Sequence, residues 1–274
     1  MQNIEFIKMH GLGNDFVIID RRKKNIKITK KIINKLSDRK SGAGCDQLIT
    51  IDKNTSKDHD IAIKIYNPNG DSAEACGNGT RCIAKLLFDE KNKKQIKIKS
   101  EAGILLAKKI DKNNISVNLG KLSHHWKDIP MTKKIDTLNI PIHINNFTMG
   151  VAVNIGNPHV VFFGTKINTI NLSLIGAKIE NNKIFKNKTN VEFVEIINQN
   201  KIKMRVWERG VGITLACGSG ACAAVYAGII KKLLKKNKVE VKLDRGSLYI
   251  SIVNNEAIMT GPAEISFKGK IKIK

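Results

Sequence analysis

Cysteine and proline are both rare in this 274-residue chain, five of each, and aromatic residues make up only 5 %. Five cysteines are too few and too odd in number for a disulfide-stapled scaffold, so in a reducing compartment they are thiols. Scarce proline and ordinary glycine exclude a fibrous or low-complexity chain. No CxxC or HxxxH pair occurs, and of the six histidines only His124 and His125 are neighbours, so no metal site is expected. Long apolar runs are missing too: the longest, Ala221 to Ile230, falls far short of the ~20 residues a membrane span needs. The start, MQNIEFIKMHG, carries charges among its first eight residues and no apolar stretch of the kind a secretory leader has. A cytoplasmic protein with no membrane contact is expected.

Acidic residues number 24 against 48 basic ones, leaving a net charge of +24. Such a charge attracts polyanions. Only seven of the basic residues are arginine, however, and the lysines are scattered through stretches such as KKNIKITKK and KNKKQIKIK. Nucleic-acid surfaces favour arginine with interleaved aromatics. The lysine, isoleucine and asparagine excess reads instead as AT-rich coding drift on solvated faces. No nucleic-acid partner is expected; a basic nucleic-acid-binding protein is the alternative from another class, and steeply salt-dependent binding would mark it.

What is present is a repeat. Ala75-Cys76-Gly77-Asn78-Gly79 and Ala216-Cys217-Gly218-Ser219-Gly220 lie 141 residues apart, about half the chain. Nine residues before each cysteine an alternating strand-like segment ends, IAIKIY running into Asn67 and IKMRVW into Glu208. After each cysteine comes an apolar helical stretch. Upstream, Gly13-Asn14-Asp15-Phe16 resembles Gly156-Asn157-Pro158-His159, with Asn14 and Asn157 standing 62 and 60 residues before their cysteines. Asp46-Gln47-Leu48-Ile49 parallels Asn190-Val191-Glu192-Phe193. Four signposts in one order mark a duplication. The expected fold is α/β of the α+β kind: two pseudo-symmetric lobes, each a mostly antiparallel sheet wrapped around a central helix, with the active site in the cleft between them. The N-terminal lobe is taken as residues 1–119 and the C-terminal lobe as 120–262; whether the strand-like 263–274 returns to the first lobe stays open.

Cys76 and Cys217 each stand where a glycine-containing loop meets a helix start. Unpaired amides and the helix dipole there favour negative charge, which lowers a thiol pKa and offers Gly77-Asn78 and Gly218-Ser219 as a carboxylate cradle. A thiolate and a thiol flanking one carboxylate-bearing carbon can remove a proton from one face and return one to the other, while the amides stabilise the charge that develops. That is racemisation or epimerisation without a cofactor. Cys45, Cys82 and Cys222 lack the repeated context and read as structural. A redox dithiol is the competing reading, weakened by the absence of CxxC.

MHGLGNDF (Met9–Phe16), GCDQL (Gly44–Leu48), YNPNGDSAEACGNGTRC (Tyr66–Cys82), NIGNPHVVFF (Asn154–Phe163), TNVEFVEI (Thr189–Ile196) and ERGVGITLACGSGA (Glu208–Ala221) together resemble the diaminopimelate epimerase family across essentially the whole chain. The resemblance implies pyridoxal-independent conversion of LL-2,6-diaminopimelate to the meso form, for lysine and peptidoglycan precursors, by a cytoplasmic homodimer. Carried over by position, Cys76 and Cys217 are base and acid, with His159 and Glu208 assisting. Gly77, Asn78, Gly218 and Ser219 hold the reacting carboxylate. Asn14, Gln47, Asn67, Asn157, Asn190, Glu208 and Arg209 contact substrate, and Arg81 forms a structural ion pair. Ile213, Val211 and Phe267 depart from the family's pattern, in positions that touch packing and the dimer contact. Another amino-acid racemase of the same fold is the nearest alternative, disfavoured by the distal set Asn67, Asn190 and Arg209.

Overall fold

The computed structural model describes residues 2–24, 26–54, 56–73, 76–91, 93–235 and 238–273. Ala75, the first residue of the first cysteine segment, and Glu74 before it lie outside these. The chain divides into two compact units, Met1–Val117 with Gly261–Lys274, and Asn118–Thr260. It is a mixed α/β protein, two-lobed, with strands predominating.

In the first unit, β1 (Gln2–Gly11), β2 (Asn14–Asp20), α1 (Lys30–Ser37), β3 (Gln47–Asp52), β4 (Ile61–Tyr66) and β5 (Ser72–Ala73) lead to α2 (Gly77–Glu90). After it come β6 (Gln95–Ser100), β7 (Gly103–Lys109) and β8 (Asn114–Lys121), within which the chain leaves the unit. The second unit holds β9 (Val151–Asn154), β10 (Pro158–Phe163), α3 (Leu172–Glu180), β11 (Asn190–Asn198), β12 (Lys201–Glu208) and β13 (Gly212–Thr214). Then follow α4 (Gly218–Ile230), β14 (Lys238–Leu243), β15 (Gly246–Val253) and β16 (Glu256–Pro262), along which the chain returns to the first unit. The final strand, β17 (Glu264–Ile273), pairs antiparallel with β1.

The pairings repeat. β2 runs parallel to β3, β3 antiparallel to β4, and β4 antiparallel to β5 and parallel to β6, which turns into antiparallel β7. β10 runs parallel to β11, β11 antiparallel to β12, and β12 antiparallel to β13 and parallel to β14, which turns into antiparallel β15. Each parallel pair needs a crossover. α1 and α3 supply the first of these and α2 and α4 the second. The sequence reading singled out only the cysteine-started helices. α1 and α3 escape it because each is a two-turn helix made by a side-chain cap: Thr29 accepts from the Ile32 amide at 3.4 Å and Asn171 from the Leu174 amide at 3.2 Å.

α2 packs on β1, β2, β6, β7 and β17, and α4 on β9, β10, β11, β12, β14 and β15. α4 is apolar on all sides, with every residue from Gly220 to Gly228 buried, as a helix enclosed by its own sheet must be. Alanine there costs little side-chain entropy to bury. A second core cluster in this unit sets aromatic rings among aliphatic side chains: Phe162 and Phe193 stack at 5.6 Å between ring centroids, and Phe147 meets Phe193 edge-on at 5.2 Å. Phe193 has no exposed surface, so Phe193→Ala should destabilise the second unit by about 3–5 kcal/mol. Calorimetry should show this as a lowered transition for that unit; an unchanged profile would mean the aromatic stack does not support it.

Candidate active site

Both cysteines are helix caps. Cys76 precedes α2 with φ −145° and ψ 106°, and its sulfur accepts from the Gly79 amide at 3.5 Å. Cys217 precedes α4 with φ −122° and ψ 115°, and its sulfur accepts from the Gly220 amide at 3.3 Å. Gly77 and Gly218 are thus the first helical residues. The third position of each helix is glycine and closely covered: a Cβ on Gly79 would lie 2.6 Å from Ile49 Cδ1, and one on Gly220 would lie 2.8 Å from Glu192 Oε1, so either side chain would have to shift.

Around Cys76 stand amides. Asn14 follows a tight turn through Leu12 and Gly13, both at positive φ. Its Oδ1 accepts from Asn78 Nδ2 at 3.1 Å and faces the Cys76 thiol at 3.8 Å, while its Nδ2 donates to Asp46 Oδ2 at 2.9 Å. Asp46 is held in turn: Arg39 bridges Asp46 and Asp15 at 2.7 and 2.8 Å, and Lys8 pairs with Asp15 at 2.7 Å. Lys8 also donates to the Gly44 carbonyl. Burial alone would raise the Asp15 carboxyl; the Arg39 and Lys8 hydrogen bonds outweigh it and bring it down to about 2. Gln47 Nε2 donates to Asn67 Oδ1 at 3.1 Å, joining two residues 20 apart in sequence.

Around Cys217 stand carboxylates. Glu208, at the end of β12, accepts hydrogen bonds from Thr214 and from the Cys217 thiol. Burial raises the Glu208 carboxyl, against those two bonds and the nearby His159. Cys217 is 4 % exposed, and its sulfur meets Ser219 Oγ at 3.5 Å. Burial first, then Glu208 and Glu192, push the Cys217 thiol well above its ordinary value, against the Ser219 and Gly220 hydrogen bonds. The sequence reading expected a lowered thiol here. The helix start does act in that direction, but desolvation and two carboxylates exceed it.

His159 is fully buried, with Nδ1 2.6 Å from Glu192 Oε1 and Nε2 3.0 Å from Asn157 Oδ1. Asn190 donates to the Pro158 carbonyl at 2.8 Å and accepts the Arg209 amide at 2.9 Å. The exposed Arg209 guanidinium donates to the Asn187 carbonyl at 3.2 Å. Within the first unit, then, Asn14, Cys76 and Asn78 are joined by hydrogen bonds, and Gln47 with Asn67. Within the second, Asn157 is joined to His159, Asn190 to Arg209, and Cys217 to Glu208 and Ser219.

Asp46, Glu192 and Thr214 are hydrogen-bond partners of the candidate residues that sequence reasoning missed. Glu192 gives itself away only by being charged between apolar Val191 and Phe193 in NVEFV, whose five residues are all buried. Arg81, read as a structural ion-pair former, is fully buried and donates from Nε to the Pro262 carbonyl at 3.2 Å. Among the described residues no three or more His, Cys, Asp or Glu side chains are grouped to hold a metal ion, and no helix is long and apolar enough to cross a membrane.

The family model for diaminopimelate epimerase matches residues 6–125 and 151–266. A diaminopimelate epimerase of Pelagibacter ubique is 44 % identical over 266 residues, covering 95 % of this chain and 96 % of that one. One of Carboxydothermus hydrogenoformans is 42 % identical over 277 residues, covering 97 % and 99 %. Among solved structures, a PhzF-family phenazine biosynthesis protein of Bacillus anthracis matches with a TM-score of 0.71 at 15 % identity, covering all of both chains. A hydroxyproline epimerase of Agrobacterium vitis with bound trans-4-hydroxy-L-proline matches at 0.68 and 10 % identity, covering 99 % and 91 %. At those identities the two structures speak for the fold alone.

Two outcomes are expected. Because Asp15 is lowered from 3.8 to about 2 in the folded chain, its contribution to stability is complete above pH 3.8 and is lost as pH falls through about 2. Asp15→Asn should therefore flatten the acid limb of urea-measured stability over about pH 5 to 2; an unchanged limb would remove Asp15 as its source. Glu208→Gln takes a negative charge from beside Cys217, so the Cys217 thiolate should form at a lower pH. Thiolate ultraviolet absorbance, read against a matched Cys217→Ala pair, tests this; a rise or no change would show that Glu208 does not govern the thiol.

Proposed function

The chain belongs to the diaminopimelate epimerase family, and from that premise we propose that it interconverts LL- and meso-2,6-diaminopimelate by a two-base mechanism with Cys76 and Cys217. It is an isomerase, an epimerase of lysine biosynthesis. The observation that supports the two-thiol reading is the repeated cap: each sulfur accepts the third amide of its helix, so a thiolate at either position is met by an N–H at 3.5 or 3.3 Å.

In one direction a Cys76 thiolate removes the α-proton and the Cys217 thiol delivers its own proton to the opposite face of the same carbon. Cys76 leaves the cycle as a thiol and Cys217 as a thiolate, and the reverse reaction exchanges the roles. The negative charge passing through the α-carbon spreads onto the adjacent carboxylate, which the first-turn amides of Gly77-Asn78 and Gly218-Ser219 hold. Glu208, hydrogen-bonded to Cys217, and His159 assist from the second unit. Asn14, Gln47, Asn67, Asn157, Asn190, Glu208 and Arg209 take the remaining carboxylate and ammonium groups. Arg209 suits a carboxylate by its forked guanidinium. The same reading makes the enzyme a cytoplasmic homodimer that works without pyridoxal phosphate or a metal and does not act on nucleic acid.

The test is α-hydrogen exchange. Reduced enzyme given LL-diaminopimelate in deuterated water, with no added cofactor, should yield meso product deuterated at the inverted carbon. Cys76→Ala and Cys217→Ala should each abolish epimerisation. No exchange into diaminopimelate would overturn the substrate, and full epimerisation by either variant would overturn the two-thiol mechanism.

A further inference from the structure

The two units place different side chains at matching positions beneath their catalytic helices. Parallel pairing sets Phe16 opposite Gln47 and Ile18 opposite Ile49 in the first unit, and His159 opposite Asn190 and Val161 opposite Glu192 in the second. Phe16 therefore corresponds to His159, and Ile49 to Glu192. Both pairs lie fully buried, and the packing agrees: a Cβ on Gly79 would meet Ile49 and Phe16, and one on Gly220 would meet Glu192. An apolar pair supports the Cys76 helix where an ionisable pair supports the Cys217 helix.

Ionisable groups are costly in that position, so the proton inventory matters. His159 faces an acceptor on both sides, Glu192 Oε1 at 2.6 Å and Asn157 Oδ1 at 3.0 Å. Its ring thus carries a proton on Nε2, and a second proton lies between Nδ1 and the carboxylate. Glu192 Oε2 is buried with no hydrogen-bond partner, so the carboxylate has only His159 to offset its charge. The other ionisable groups facing Glu192 are Glu208 at the end of β12 and Cys217 at the head of α4. Neither supplies a cation.

The consequence reaches Asn157. In the first unit, Asn14 spends Nδ2 on Asp46 and Oδ1 on Asn78. In the second, the His159 Nε2 proton occupies Asn157 Oδ1, which leaves Nδ2 as the group to offer a ligand. We propose that Glu192 is a positioning residue: it keeps His159 as the imidazolium of a buried charge pair, and His159 in turn fixes Asn157 with its N–H₂ directed to an acceptor on the substrate, a carboxylate oxygen. This rests on the epimerase reading above. Glu192 itself touches no reacting atom.

The test uses full-length enzyme labelled with ¹⁵N-histidine, with His159 assigned from a His159→Asn variant. In the wild type at pH 8 both His159 ring nitrogens should be protonated, and in Glu192→Gln only one. Glu192→Gln should lose on the order of 100-fold in kcat/KM for diaminopimelate at that pH. Its deficit should shrink at lower pH, a recovery that a purely structural role would not give. His159→Phe combined with Glu192→Ile recreates the pair found under the Cys76 helix. That protein should fold with an equal or higher Tm and be at least as impaired as Glu192→Gln. Singly protonated His159 in the wild type, wild-type kcat/KM in Glu192→Gln, or a folded and fully active double variant would each overturn the proposal. A wild type inactive on diaminopimelate would instead fail the epimerase reading and leave the ring-nitrogen result standing by itself.

Discussion

A cysteine sulfur accepting the third amide of a buried helix is the interaction that both units share, and it constrains what stands near it. The sulfur occupies the cap with the cysteine itself extended, shortly after the β4–β5 and β12–β13 hairpins. The third helical residue is glycine, and a Cβ on Gly79 or Gly220 would press on the Ile49 or Glu192 side chain beneath. The first two helical amides lack intrahelical partners by helix geometry, which suits them to a carboxylate. Cap, glycine and anion cradle thus come as one arrangement. That explains why the two cysteine segments stay recognisable when most of the repeat has diverged.

Beneath that shared frame the halves have been filled differently. The first unit ties Asn14 into a polar network that runs from buried Lys8 through Asp15 and Asp46 to exposed Arg39, each charge lying against an opposite one. The second unit buries its charges: His159 and Glu192 are inaccessible, and Cys217 is nearly so. Substituting a buried ion pair by apolar residues of similar volume is often neutral or stabilising, and the first unit holds Phe16 and Ile49 in those very positions. Stability alone therefore gives no reason for His159 and Glu192 to persist. The proposed reason is the hydrogen bond His159 makes to Asn157.

The sequence carried the frame openly. The Cys76 and Cys217 segments, the Asn67 and Glu208 strand ends nine residues before them, and the helices that follow could all be read from residue type and spacing. α1 and α3 escape that reading, because each is short and serves the crossover that a parallel strand pair requires, a tertiary demand whose local trace is a single capping residue, Thr29 or Asn171. Glu192 was hidden by register. Set beside Asp46-Gln47-Leu48-Ile49 as written, it falls opposite Leu48, whereas strand pairing matches Gln47 with Asn190 and so Ile49 with Glu192. One residue of slip exchanges the faces of a strand, so only the hydrogen-bonded register shows that Glu192 points at His159.

The thiol of Cys217 is a case in which local reasoning named the right influence and misjudged the contest. A helix start is worth about 0.3–2 kcal/mol to a negative charge, which converts to at most about 1.5 pH units. Full burial of an ionisable group moves it by up to about 3–5 units in the opposite sense, and a neighbouring carboxylate adds to that. Cys217 has both, with Glu208 hydrogen-bonded to it and Glu192 below, so burial wins and the proton stays. Cys76 has the same cap but amide neighbours in Asn14 and Asn78 and more solvent access. Two residues that the repeat makes equivalent are thus made unequal by the strands beneath them. The proposed proton exchange needs one loaded partner and one able to accept, and in the second unit burial with Glu208 and Glu192 keeps Cys217 loaded.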